Sequence, residues 1–98
     1  MSDSEQLERE ERRGRMAQEI LDNALFKESF HSVKTGILEA WANSPIRDHE
    51  GQHELRLMLK LLNDVEANLV DVMQTGKLAQ ITLREKRGLI DRLKDKFQ

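Results

Sequence analysis

At 98 residues and 11.4 kDa the chain has room for one small domain, because short chains keep a high ratio of surface to buried volume, and a large active-site cleft is not expected. Charged residues make up 35% and apolar residues 38%, with one Pro, five Gly, no Tyr and no Cys. This favours helices and argues against sandwiches, barrels and disulfide-framed modules, which need β-branched and aromatic alternation, frequent turns or cysteine pairs. The formal charge of −2 gives no global preference for nucleic acid, but it is unevenly spread. Residues 1–15 carry four Arg and five acids, residues 16–76 five basic and ten acidic side chains, and residues 77–98 seven basic and three acidic, an acidic body with a basic tail.

No apolar run approaches the roughly 20 residues of a membrane-spanning helix, and the first fifteen residues lack the apolar stretch of a secretory signal. A cytoplasmic protein with no membrane contact is the expectation. The missing cysteines leave the redox compartment open.

In chain order, Ser2 and Glu5 have the spacing of a capping box, which opens a helix by satisfying two backbone donors. Glu5 with Arg9, Glu8 with Arg12 and Glu11 with Arg15 then stand four residues apart, each pair worth about 0.2–0.5 kcal/mol on a solvated helix. The interleaved acids favour that reading over a nucleic-acid arm. With Leu7 its only aliphatic residue before Met16, this arm, residues 1–22, has little to bury and is expected to fray unless a partner holds it.

Asp22 or Asn23 can cap the next helix. Phe26, Phe30, Val33, Ile37 and Trp41 follow at spacings of four, three, four and four, which places them on one face as an aromatic core stripe. The segment Asn43-Ser44-Pro45-Ile46-Arg47-Asp48 is a break: Pro45 disfavours helical geometry at Ser44, and Asp48 can cap a helix beginning at His49. A link this short predicts antiparallel neighbours, a helical hairpin over residues 23–76. Beyond it, Leu55, Met58, Leu62, Val65, Leu69 and Val72 alternate at three and four, an a/d seam suited to covering by another helix or another subunit. Leu59, Leu61, Val70 and Met73 widen it. Gly76 is placed for a left-handed C-terminal stop. Thr82 and Glu85 have capping-box spacing for a separate short basic helix within residues 77–98, with Leu83, Leu89, Ile90, Leu93 and Phe97 as its apolar residues. The predicted fold is therefore all-α: an antiparallel helical hairpin with a charged N-terminal helix and a short basic C-terminal helix.

His49-Glu50-Gly51-Gln52-His53 matches the zinc-protease pattern H-E-x-x-H, in which two His bind zinc and Glu activates a water. A third ligand must converge from another element, and Asp64, Glu66 and Asp71 lie on the same predicted helix. Gly51 also weakens the motif's helix. The match is read as coincidence, with no metal and no cofactor. No Cys nucleophile exists, and the five Gly stand singly, so neither covalent catalysis nor a phosphate loop is signalled. The remaining candidates are Lys77, Arg84, Lys86, Arg87, Arg92, Lys94 and Lys96. As a set they suit a solvated face, an acidic protein, the acidic body of a neighbouring subunit, or DNA phosphates. No aromatic or amide cluster accompanies them for base reading.

The stretch from Asp22 to Gln80, containing DNALFKESF, EAWANSPIRDHEG and RLMLKLLNDVEANLVDVMQTGKLAQ, resembles small all-helical proteins of about one hundred residues encoded by bacteriophages. Trp41, the SPIRD turn with Glu50 and Gly51, and Thr75-Gly76-Lys77 carry the resemblance. The architecture is also similar to the oligomerisation hairpins of phage terminase small subunits, although no N-terminal helix-turn-helix is evident. The resemblance implies a non-enzymatic assembly or DNA-packaging component in the host cytoplasm or on the virion. Such a component self-associates as a homo-oligomer and contacts phage structural or packaging proteins, or DNA. A phage-encoded inhibitor of one host protein is the alternative.

Overall fold

The structure is a computed structural model, and it describes residues 3–97, with side chains through residue 96. Its described residues form three helices and no strand: α1 (Asp3–Asp22), α2 (Ala24–Ala42) and α3 (His49–Phe97). None of them is long and apolar enough to cross a membrane. Ser2 of the expected first capping box and the side chain of Phe97 lie outside the described residues.

The boundary between α1 and α2 is a single residue. Asn23 sits in an extended conformation and its Oδ1 accepts from the Phe26 amide at 2.9 Å, the N-cap role that its short amide side chain predicts. α2 ends at Asn43, whose amide donates to the Glu39 carbonyl at 3.0 Å. Ser44 and Pro45 hold the link, with the Ser44 hydroxyl donating to the Trp41 carbonyl at 2.7 Å. Asp48 caps α3 as expected, accepting from the Gly51 amide at 3.0 Å.

Two compact units divide the chain, one of residues 20–69 and the other of the N-terminal residues through 19 with those from 70 onward. In the first, Gln52 Nε2 donates to the Pro45 carbonyl at 3.0 Å and to Ser44 Oγ at 3.4 Å. Glu66 lines a crevice with Phe26, Phe30 and Lys34. Early α3 therefore faces late α2 and later α3 faces early α2, so the two run in opposite directions.

In the second unit α1 lies against later α3, also in opposite directions: Asp3 and Leu7 line a crevice with Thr82 and Lys86, and Gly14 meets Gly76. A Cβ placed on Gly14 would stand 2.6 Å from Gly76 Cα, and one placed on Gly76 would stand 2.6 Å from Gly14 Cα and 2.9 Å from the Glu10 carbonyl oxygen. Only hydrogen fits there. Ala17, Ala79 and Leu83 are the buried apolar residues of the described chain, at 3%, 1% and 6% exposure. The charged arm thus has a partner, engaged through small residues rather than large ones.

The expected stop at Gly76 and the separate basic helix after it are corrected by this arrangement. Gly76 has helical geometry with no positive φ, and α3 continues through it to Phe97. A mid-helix Gly costs about 1 kcal/mol relative to Ala, and the close approach of α1, possible only without side chains, offsets that cost. Thr82 is not a cap: its hydroxyl donates to the Leu78 carbonyl at 3.0 Å, the back-bond of a threonine inside a helix. The three-four alternation also runs on past Val72 through Gly76, Ala79 and Leu83.

Candidate interaction surfaces

One helix covers a limited arc of its neighbour, and the unit of residues 20–69 sets α2 against α3, with only the end of α1, at Leu21, beside them among the described residues. Its apolar residues are accordingly shared between the contact and solvent. On α2, Phe26, Phe30 and Ile37 are half-buried, with the two phenyl rings 5.9 Å apart and tilted by 34°, within the range of favourable edge-tilted pairs. Val33 and Trp41, expected in the same core stripe, remain 53% and 39% exposed.

The α3 seam divides in the same way. Leu55, Leu62 and Leu69 are half-buried, joined by Gln52 and Leu59 on the side turned to α2. Met58 and Val65 are 53% and 56% exposed. Val72 belongs to the other unit and is half-buried. The three-four spacing located an apolar face but not the direction from which α2 covers it. The line used runs through Gln52, Leu55, Leu59 and Leu62, rotated around α3 from the regular seam. What the rotation leaves outside is a second strip of Leu57, Met58, Leu61 and Val65, with Leu57 47% and Leu61 66% exposed. At about 100° per residue, Glu50 and Glu54 fall in line with this strip and Asp64 along its edge. Lys60 pairs with Asp64 at 3.1 Å.

His49, Glu50 and His53 are all exposed in the first turn of α3. His53 lines a shallow groove of about 390 Å³ with Leu57, Lys60 and Asp64. Among the described residues no group of three or more His, Asp or Glu side chains is placed to hold a metal ion.

The basic residues of later α3 do not act as one patch. Lys86 is half-buried in the crevice lined by Asp3, Glu10 and Thr82, so α1 engages it. Lys77 lines a different crevice with Glu11, Arg15 and Gln18. Arg84, Arg87, Arg92, Lys94 and Lys96 are exposed, and Arg92 Nε donates to the Gly88 carbonyl at 3.3 Å. Beyond Gly88, Leu89, Ile90 and Leu93 are 53%, 51% and 46% exposed. Helical geometry places them in one stripe with Arg92, Lys96 and Glu85 along one edge and Arg87 and Lys94 along the other, while Asp91 and Asp95 fall on the opposite face.

Neither the Gly14–Gly76 contact nor the outward strip at Leu61 is legible from large apolar residues at regular spacing. The signals were the isolated glycines, with Ala17 and Ala79 each three residues beyond one of them, and the excess width of the seam. No known protein family, no curated protein and no solved structure matches the chain.

Proposed function

We propose that the protein is a non-enzymatic assembly component: a helical hairpin that associates with further copies of itself through apolar helix faces and presents its basic end to DNA or to a protein partner. The observation that carries this reading is the apolar surface left in solvent. Every buried hydrophobic residue described is Ala17, Ala79 or Leu83, and sixteen large hydrophobic side chains stand exposed. Exposed apolar side chains grouped on one helix face, as Leu57, Met58, Leu61 and Val65 are, mark an interaction site.

The bacteriophage setting, particle assembly or DNA packaging in the host cytoplasm or on the virion, rests on the likeness of the Asp22–Gln80 stretch to small phage-encoded helical proteins. Light scattering during gel filtration tests self-association. The expected outcome is an oligomer at micromolar concentration that dissociates on dilution, and a concentration-independent monomer overturns the reading. In that case capture of a single host enzyme by the monomer favours the inhibitor alternative. Contact with DNA is tested with Arg84→Gln, Arg87→Gln and Lys94→Gln together. These substitutions leave Ala79 and Leu83 in place, as a deletion of residues 77–98 does not. A DNA-binding role predicts that the salt dependence of duplex binding becomes shallower by up to about 2.7 in log–log slope.

A further inference from the structure

Two exposed stripes on α3 complement each other in charge. The strip of Leu57, Met58, Leu61 and Val65 has the carboxylates of Glu50 and Glu54 in line with it, and at its edge Asp64, which is paired with Lys60. The stripe of Leu89, Ile90 and Leu93 is edged on both sides by cations, with Asp91 and Asp95 turned away and Glu85 the one acid on the Arg92 edge. Each is apolar along its centre, and neither is covered by α1 or α2. We infer that the basic stripe after Gly88 of one copy docks on the acidic strip around Leu61 of a second copy. The association is therefore head-to-tail, with each copy using one surface to hold and the other to be held.

This inference rests on the self-association reading and specifies its geometry. Like-charged edges oppose the alternative in which the basic stripe meets its own counterpart across a two-fold axis, since Arg and Lys along both edges would face Arg and Lys. A head-to-tail contact uses two different surfaces on each copy. Contacts of this kind close into rings or grow as open chains, depending on the rotation between successive copies.

The experiment is a mixing test on the full chain. Leu61→Asp disables one surface and Leu89→Asp with Leu93→Asp disables the other. All three positions are exposed, and circular dichroism checks that each variant keeps its helix content. Each variant alone is expected to be monomeric by light scattering, and an equimolar mixture is expected to give a one-to-one heterodimer and nothing larger, since each retains the surface its partner lacks. A mixture that stays monomeric overturns the head-to-tail geometry, and so does full assembly by the Leu89→Asp, Leu93→Asp variant. In both cases the self-association reading stands if the unaltered chain still forms oligomers. A second pair of variants changes only charge: Arg87→Glu with Lys96→Glu is expected to weaken assembly at least tenfold at 0.1 M salt, and mixing with Glu54→Lys, Asp64→Lys to recover it. If the charge variants assemble normally but lose retention of duplex DNA, the basic stripe serves nucleic acid and the inference fails.

Discussion

Gly14 and Gly76 invert the usual effect of replacing glycine in a helix. Alanine at an open helical position is more stable than glycine by about 0.5–1 kcal/mol, because the unfolded chain loses freedom and the helix loses nothing. Gly36 and Gly88 have no atom within 4 Å of where a Cβ would stand, so Gly36→Ala and Gly88→Ala should each raise the melting temperature by several degrees in a chain of this size. At Gly14 and Gly76 the new methyl meets backbone of the opposing helix at 2.6 Å, which no rotamer relieves. Gly14→Ala and Gly76→Ala should therefore destabilise by about 1–3 kcal/mol, the range for overpacked sites. Thermal melts at one fixed protein concentration separate the two pairs by sign. The caps are a milder case: Asn23→Ala and Asp48→Ala each remove an acceptor for a backbone amide and should cost about 1 kcal/mol, while Asn23→Gly costs only a few tenths.

For the elements, the most consequential feature is the continuity of α3. Hydrogen exchange reads it directly: the amides of Gly76 and Lys77 should be protected as well as those of Met73 and Ala79, whereas a helix stop would make them exchange fast. The all-helical class, a cap at Asp22 or Asn23, the turn at Ser44-Pro45 and the cap at Asp48 are legible in the sequence, because each depends on a short-range preference of a side chain or ring for its own backbone. The roles of Gly76 and Thr82 are not legible there, for the complementary reason. A glycine is as suited to a left-handed stop as to a place where two helices touch, and a Thr three residues before Glu is as suited to a cap as to a back-bond. The opposing helix decides the first, and it comes from about sixty residues earlier in the chain. The seam shows a subtler limit. Its spacing specified which residues of α3 are apolar on one side, while the arc that α2 occupies depends on how Gln52 reaches back to Ser44 and Pro45.

Taken whole, the molecule has a small interior and a large apolar exterior, which makes its stability depend on concentration if copies associate. Leu62 and Leu69 are half-buried, so charged substitutions there would disturb folding and association together. Leu61 and Val65 are 66% and 56% exposed, and Leu61→Asp with Val65→Asp should abolish oligomers while helix content stays unchanged. Sedimentation at matched concentrations, with circular dichroism on the same samples, checks that separation. Loss of helix in step with loss of mass would show the strip to be interior instead.

The glycine pair also governs alignment. Leu7 and Leu21 lie seven residues to either side of Gly14, and Leu69 and Leu83 seven to either side of Gly76, so a slip of one heptad would preserve the repeating pattern of both helices. Such a slip would drive a leucine into a gap that admits no carbon at all. The two hydrogens at that crossing therefore act as a key, making the native pairing of α1 with α3 the one in-phase alignment whose backbones can meet.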